Sequence, residues 1–246
     1  MMSTDSWVAG VDGCKAGWVV ALRRLSDPMT TRLQLCATFA EVLALPEKPI
    51  KIAVDIPIGL PTRVTSGGRK ADVAARVHLG ARKSAVFAMP ARSAIMATEY
   101  RAACAIAHEH SDPPRMISKQ AFNLFPKIRE VDALITPKLQ DRVIECHPEL
   151  AFWALNGERA MDEPKKRKSR INEPGLAHRR ELLTAVGYQP ELLAAKHFKA
   201  SHAGGDDVLD AIGNSWSAAR IANGCGRRFP AEPLTDERGL RMEIWC

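Results

Sequence analysis

Three short apolar runs each carry an acidic residue at or near their C-terminal end. The runs are Trp7–Asp12, Ile50–Ile56 and Arg142–Cys146, and their acids are Asp12, Asp55 and Glu145. Apolar runs of this length are typical of buried strands, and Pro57 stops the second of them. If these strands are neighbours and share a direction, their carboxylates gather at one edge, where open α/β sheets usually place their sites.

The order of the elements predicts an α/β fold. Gly17–Leu22 reads as a strand that follows Trp7–Asp12 after the short link Gly13–Ala16, which favours an antiparallel hairpin. Leu33–Ala37 alternates like a third strand, and Phe39–Leu45 has helical spacing. A hairpin, further strands and several helices predict a mixed sheet with helices on both faces, in a single domain over residues 1–246.

Residues 62–140 differ from the rest and predict a mostly helical insertion between the fourth and fifth core strands. The runs Lys70–Leu79, Ser93–His108 and Lys119–Leu134 are rich in alanine and basic residues and favour helices. Beyond the insertion, helices are expected over three stretches, Pro148–Leu155, Ala177–Val186 and Asp206–Asn223, and Glu163–Asn172 is expected to be a charged loop.

Composition excludes several classes of protein. The chain has 246 residues, of which 46% are hydrophobic and 26% charged, so a disordered tail, a collagen-like repeat and a coiled-coil rod are excluded. A net charge of +7 permits an anionic partner without requiring one. No long apolar run and no secretory leader are evident, so we expect no membrane association and a cytoplasmic location. The six scattered cysteines contain no Cys-x-x-Cys pair, which argues against zinc and disulfides.

The last predicted helix adds further acids. Asp207, Asp210 and Asn214 fall on one stripe at helical spacing. The opposite side is apolar and is expected to pack on the sheet through Val208, Leu209, Ile212, Trp216 and Ala219. Helix capping is an alternative explanation for the acids of the first turn, with Asp206 as the N-cap.

A cluster of carboxylates needs a cation, because neighbouring negative charges raise one another's pKa. A pair of divalent metal ions satisfies that need and supplies a hydroxide nucleophile for attack on a phosphodiester. Short acidic side chains favour Mg²⁺ or Mn²⁺ over zinc. We therefore expect a two-metal site with Asp12, Asp55, Asp207 and Asp210 as ligands, and Glu145 as a further catalytic candidate. The alternative is that the acids at strand ends are turn formers.

Several motifs together resemble a known family. They are VAGVDGCKAGW, AVDIPIGLP, RKADVAARVHLGARKSAVFAMPAR, ECHPELAFWALNG and GGDDVLDAIGNSWSAARIANG. Their residues and order are similar to those of the bacterial family called domain of unknown function 429, described as predicted RNase H-like nucleases. The resemblance spans Val8 to about Pro230.

The resemblance implies an RNase H-like core in which Asp12 is the acid of the first strand and Asp55 that of the fourth. Asp207 and Asp210 match the acids of the last helix, which also resembles that of Holliday-junction resolvases. Such resolvases commonly carry glutamate on the fourth strand, where this chain has an aspartate. Glu145 or Glu149 is therefore a candidate for the missing ligand.

Basic and polar residues provide candidates for binding substrate. They are Lys15, Arg69, Arg82, Lys83, Ser84, His147, Glu149 and Lys166. Arginine and lysine suit phosphate contacts, and we expect Arg69, Arg76, Arg82 and Lys83 to border the acidic edge. There are three alternatives: solvated helix faces, a pairing of these basic side chains with the insertion's own acids, such as Asp72, and a helix entry at His147–Glu149.

Three functions are compatible with these features. The first is a metal-dependent phosphodiesterase or nuclease acting on nucleic acid or a nucleotide. The second is a phosphotransferase or nucleotide-binding protein of the actin and sugar-kinase type, which ranks lower because those proteins need a duplicated core. The third is a non-catalytic module that binds nucleic acid through the basic insertion. Apolar helical surface in the insertion also leaves room for a homodimer.

Overall fold

The computed structural model of the chain describes residues 6–65, 67–168 and 170–246. Its strands, in chain order, are β1 Trp7–Cys14, β2 Gly17–Arg24, β3 Thr31–Cys36, β4 Lys51–Val54, β5 Val64–Thr65, β6 Ser111–Asp112, β7 Val143–Glu145, β8 Lys166–Arg167, β9 Arg170–Ile171, β10 Arg228–Thr235 and β11 Arg241–Trp245. Its α-helices are α1 Phe39–Leu43, α2 Lys70–Arg76, α3 Arg92–Met96, α4 Tyr100–Glu109, α5 Lys119–Phe122, α6 Phe125–Leu134, α7 Pro148–Leu155, α8 Glu173–Ala185, α9 Pro190–Ala194 and α10 Gly205–Ala222. Short 3₁₀ helices cover Gly80–Ala85 and Leu139–Asp141.

The central sheet of the described residues is mixed, as predicted. Its strand order is β3-β2-β1-β4-β7, with β2 antiparallel to both β1 and β3. The strands β4 and β7 run parallel to β1. The predicted hairpin is present, with Cys14 opposite Gly17 in its last pair. Gly17 has a φ of +125°, a conformation open to glycine, and a Cβ there would overlap the carbonyl of Cys36.

The two faces of the sheet support separate parts of the core. On β2, Trp18, Val20 and Leu22 pack with residues of α1, α3, α4 and α6, whereas Val19 and Ala21 pack with residues of α8 and α10. This alternation follows from the two-residue period of a strand. Helices therefore cover both faces, and those of residues 62–140 bury one of them.

The helix α10 approaches β1 very closely. A Cβ on Gly10 would overlap the backbone of Ala211 and Ser215, so glycine is what permits this contact. The side-chain amide of Asn214 donates to the carbonyl of Val11 at 3.2 Å. The polar stripe of the helix thus faces β1, while Leu209 and Ile212 pack with β2 and α8. Ala219 packs with β1, β4 and β7, whereas Trp216 is only partly buried. The apolar side of α10 thus packs on the sheet as expected, and part of the polar stripe also meets β1 through Asn214.

Local chemistry explains where the helices differ from prediction. The run Lys119–Leu134 is split into α5 and α6, because Pro126 lacks an N–H and its ring would clash with the carbonyl of Phe122. The run Ser93–His108 is split into α3 and α4, because Ala97 adopts an extended backbone. Part of the expected charged loop forms the hairpin β8–β9, and the hairpin β10–β11 was not predicted.

Within the described ranges, no helix has both the length and the apolar character that a membrane crossing requires.

Candidate functional site

The acids predicted from strand ends and the last helix converge at one edge of the sheet. Asp12 lies near the end of β1 and Asp55 immediately follows β4, and these strands are parallel. Asp12 is two residues after Gly10 and therefore shares the face that α10 covers. That helix begins at Gly205 and brings three further acids to the same edge, Asp206, Asp207 and Asp210.

Burial and neighbouring charges both act on the pKa values of these acids. Burial raises the pKa of Asp12 well above its usual value, and the charge of Asp55 is the next largest cause. Lys165 opposes the rise, whereas Asp207 and Asp206 add to it. The pKa of Asp207 is itself raised by burial, although its carboxylate accepts a bond from the N–H of Gly204 at 2.8 Å. Burial is thus the main cause of both raised pKa values, and the charges of the neighbouring acids add to it.

Two adjacent lysines contact acids of α10. Lys165 immediately precedes β8, and Lys166 is the first residue of that strand. The ammonium group of Lys165 contacts the carboxylate of Asp210, and that of Lys166 lies 2.5 Å from Asp206. Lys166 was expected to bind substrate and is here the counter-ion of a buried acid. Asp206 was expected to be the N-cap, but Gly204 holds that position. Lys165 belongs to the basic run 165–168, which suggested phosphate contact, but that run does not predict its pairing with Asp210.

A cavity of about 360 Å³ opens beside Asp12 and Asp55. Part of its lining is charged or polar and includes Asp12, Asp55, Lys127, Lys165, Asn123, His147 and Glu149. The remainder includes an apolar part formed by Pro57, Val86, Phe87, Leu124 and Ile244. Lys127, which the sequence did not single out, donates to the carbonyl of Gly17 at 2.5 Å and lies 4.4 Å from the ring centre of Trp18. Burial lowers the pKa of this lysine.

Glu145 is held by Arg69 and forms a buried ion cluster. The guanidinium of Arg69 donates to the two carboxylate oxygens of Glu145 at 2.5 and 2.8 Å, and it also contacts Asp72 at 2.7 Å. The N–H of Ile58 donates to Glu145 at 2.6 Å. Burial raises the pKa of Glu145 to about 7, against the attraction of Arg69.

This cluster alters the interpretation of three predicted site residues. Arg69 is 3% exposed and pairs with acids of the protein, so the structure favours the pairing alternative over contact with substrate phosphate. Both oxygens of Glu145 are engaged, which favours a structural role over metal ligation. Arg76 likewise donates to the carbonyls of Val86 and Gly67, at 2.8 and 2.5 Å, and so supports one wall of the cavity.

His147 and Glu149 occupy a helix entry. His147 is the N-cap of α7, where its Nδ1 accepts from the backbone N–H of Glu149 at 3.2 Å. Its Nε2 lies 3.3 Å from the carbonyl of Ala85, an arrangement that assigns the ring proton to Nε2. The carboxylate of Glu149 pairs with Arg179 at 2.7 Å. His147 thus bonds the backbone of Glu149 rather than its carboxylate, and both residues form the helix entry that was the alternative to substrate binding.

The other candidate substrate contacts lie on the surface. Arg82, Lys83 and Ser84 occupy the 3₁₀ segment Gly80–Ala85, which leads directly into the cavity wall at Ala85–Phe87. Arg82 is half-buried, while Lys83 and Ser84 are exposed. Lys15 is exposed in the β1–β2 turn, with its ammonium group 3.4 Å from the carbonyl of Ala200. Arg82 and Lys83 thus lie in the segment next to the cavity wall, and their place at the border of the acidic edge stays a prediction.

The acids suit a hard divalent cation in donor type and charge. Among the described residues, no group of three or more His, Cys, Asp or Glu side chains is arranged as a ready metal centre. The donors at the edge are nonetheless all carboxylate oxygens, which Mg²⁺ and Mn²⁺ prefer. Burial raises the pKa of Asp12 and the charge of Asp55 adds to the rise, and a bound cation would favour the ionised form of both acids. Asp210 is engaged by Lys165 and would have to exchange that partner to join a metal.

Comparison with known proteins identifies the family. No curated protein and no solved structure matches the chain significantly. The model of one family, described as protein of unknown function (DUF429), matches residues 10–235. This range includes the acids of β1, of the loop after β4 and of α10, together with the lysines beside them. The chain therefore belongs to the DUF429 family.

Proposed function

We propose that the protein is a metal-dependent phosphodiesterase, a nuclease of RNase H-like type that acts on nucleic acid or a nucleotide. The observation that carries this proposal is the placement of Asp12, Asp55 and the acids of α10 at one sheet edge, where Asp12 is buried. Buried acids that repel one another weaken a fold, so their convergence is best explained by a cation that they bind.

The topology supports an RNase H-like core. An antiparallel β1–β2–β3 unit is followed by the parallel strands β4 and β7, and a helix near the end of the chain packs on β1. In this interpretation residues 62–140 are a helical insertion between the fourth and fifth core strands. The acids then come from the first strand, the fourth strand and the last helix.

Asp12, Asp55 and Asp207 are the residues that would hold Mg²⁺ or Mn²⁺, with Asp210 as a further ligand once Lys165 has left it. When bound, such an ion lowers the pKa of water and stabilises negative charge on a phosphoryl oxygen. Lys127 and Lys165 line the adjoining cavity and offset the charge of an incoming phosphate. Arg82 and Lys83 at the border attract the same anion.

A panel of labelled substrates tests this function. Single-stranded and double-stranded DNA, RNA and a branched junction are incubated with the protein in Mg²⁺, Mn²⁺ or EDTA. We expect cleavage of at least one substrate with metal, and its loss in Asp12→Asn and Asp55→Asn. The matched control is Asp162→Asn, because Asp162 is an exposed acid elsewhere in the chain. Metal-dependent cleavage that survives both variants would overturn the assignment.

A thermal-shift screen separates the proposal from the other two functions. Mn²⁺ should raise the melting temperature of the wild type and fail to do so in Asp12→Asn, because a ligand that binds only the folded state stabilises it. Stabilisation by ATP without Mn²⁺ would favour a phosphotransferase. No response to either ligand would favour a non-catalytic binding module.

A further inference from the structure

The cavity beside the acids differs from an open nucleic-acid groove. Its volume of about 360 Å³ is at the lower end of the range of about 300–1,000 Å³ for small-molecule sites. Phe87 and Leu124 contribute apolar surface, while Asp12 and Asp55 stand at its acidic part. A stacked duplex cannot enter a space of this size, whereas one nucleotide is of suitable size.

One buried atom in this cavity indicates what the ligand presents. Glu149 is 4% exposed and lines the cavity. Its Oε1 accepts from Arg179 at 2.7 Å, but its Oε2 is buried without a hydrogen-bond partner among the described residues. A buried carboxylate oxygen is costly to leave unbonded, so a ligand that donates to it gains from that contact. Nucleobases carry N–H and amino donors of the required kind.

Cationic groups in the same cavity suit the other part of a nucleotide. Lys127 and Lys165 line it, and the border segment Gly80–Ala85 carries Arg82 and Lys83. Apolar walls, a buried acceptor and nearby ammonium groups match a base and its phosphate.

We infer that this cavity binds a single unstacked nucleotide, with its base in the apolar part and donating to Glu149 and its phosphate toward the lysines. The inference rests on the proposed phosphodiesterase function and specifies its substrate as a free nucleotide or a nucleotide drawn out of a strand. The base, rather than the phosphate alone, then supplies much of the affinity.

Binding is tested by calorimetry on the full-length protein with AMP, GMP, CMP, UMP and ribose 5-phosphate, each with Mg²⁺ and with EDTA. We expect at least one nucleotide to bind at least tenfold more tightly than ribose 5-phosphate. Ala85→Phe places bulk in the cavity lining, so it should weaken nucleotide binding at least tenfold. Ala81→Phe is the matched control, because Ala81 is exposed in the same 3₁₀ segment and is not part of the lining.

A second variant examines the buried acceptor. Glu149→Gln keeps the size of the side chain and should weaken nucleotide binding or change the preferred base, whereas the exposed control Glu181→Gln should not. Because Glu149→Gln leaves Arg179 without its counter-charge, its melting temperature is measured in parallel. If that variant does not fold, the comparison of Ala85→Phe with Ala81→Phe still decides the question.

The outcomes distinguish the inference from the function on which it rests. Nucleotide binding unchanged by Ala85→Phe, or ribose 5-phosphate binding as tightly as the nucleotides, would overturn the inference. So would metal-dependent cleavage of duplex DNA by a protein that binds no mononucleotide, a result that leaves the phosphodiesterase standing. A further outcome is that Ala85→Phe abolishes nucleotide binding while the wild-type protein cleaves no substrate with metal. That result would support the cavity assignment and refute the phosphodiesterase.

Discussion

Lys165 places its ammonium group on the carboxylate of Asp210 and so joins the chain just before β8 to the second turn of α10. Lys166 makes the equivalent contact with Asp206. Two of the acids at the sheet edge therefore already have cationic partners from the protein, whereas the pKa of Asp12 is raised mainly by burial and next by the charge of Asp55. Asp206 and Asp210 thus each have a lysine partner, whereas Asp12 and Asp55 form no ion pair among the described residues.

Replacing Lys165 tests whether it competes with metal for Asp210. We expect Lys165→Met, which keeps the apolar stem and removes the charge, to tighten Mn²⁺ binding several-fold in calorimetry. It should also lower the melting temperature in EDTA, because Asp210 is then buried without its partner. The exposed Lys196 provides the control variant Lys196→Met. Weaker Mn²⁺ binding in Lys165→Met would show that Lys165 assists the metal site.

Neutralising Asp12 should stabilise the metal-free protein. The pKa of Asp12 is raised in the folded state, so its contribution to stability is greatest below the unfolded value of about 3.9 and is lost as pH rises through the folded pKa. Asp12→Asn should thus raise the melting temperature at pH 7–8, by about 2–4 °C per kcal/mol, and the advantage should shrink in acid. Calorimetric scans of the control Asp162→Asn should show no such trend. An unchanged or lower value for Asp12→Asn would indicate that this acid caps a turn.

Removing Arg69 should be among the most destabilising single changes. Arg69→Met leaves Asp72 and Glu145 buried without a counter-charge, at a cost of about 3–5 kcal/mol. That corresponds to a fall of about 6–20 °C in melting temperature, measured by circular dichroism. Arg63→Met is the control, because Arg63 is exposed and its guanidinium bonds a single carbonyl. A fall of about 2 °C or less would contradict the role assigned to the cluster.

Adding one carbon to Gly10 should disturb the packing of α10. A Cβ at this position would overlap the backbone of Ala211 and Ser215, which cannot turn aside as a side chain can. Gly10→Ala should cost about 1–3 kcal/mol or more and weaken Mn²⁺ binding, because α10 carries Asp207 and Asp210. At Gly205 a Cβ would meet nothing within 4 Å, so Gly205→Ala is the control. Equal melting temperatures for the two variants would argue against a tight β1–α10 contact.

The basic residues at the cavity border should govern salt-dependent binding. The double replacement of Arg82 and Lys83 by alanine is expected to weaken binding of a fluorescent oligonucleotide in anisotropy titrations. The slope of log K against log salt should fall by about 1 for each residue that contacts a phosphate. Replacing the exposed Lys196 and Lys199 in the same way is the control. Unchanged affinity and slope would assign Arg82 and Lys83 to the solvated surface.

The sheet and the acids were predictable because both depend on short-range patterns. Short apolar runs identified β1, β4 and β7, alternation identified β3, and the short link at Gly13–Ala16 identified the hairpin. Once β1 and β4 are known to be parallel, the convergence of Asp12 and Asp55 follows from the geometry of a sheet. The stripe on α10 likewise follows from helical spacing.

The partners of these acids were not predictable, because they depend on contacts between segments far apart in the chain. A run of basic residues at 165–168 does not reveal that Lys165 and Lys166 reach Asp210 and Asp206. The same limit applies to Arg69, which looked like a phosphate contact and is buried against Glu145. Charge type is visible in a sequence, but burial is not.

The contact of α10 with β1 also has a consequence for biosynthesis. Asp12 is made early and Asp210 late, so a ribosome-bound chain lacks three of the five acids of the edge until residues 205–222 have emerged and docked on Gly10. Contacts between such distant positions form slowly compared with local ones. A translation product that stops before α10 therefore lacks Asp206, Asp207 and Asp210, and the acidic edge is completed only after most of the chain has been synthesised.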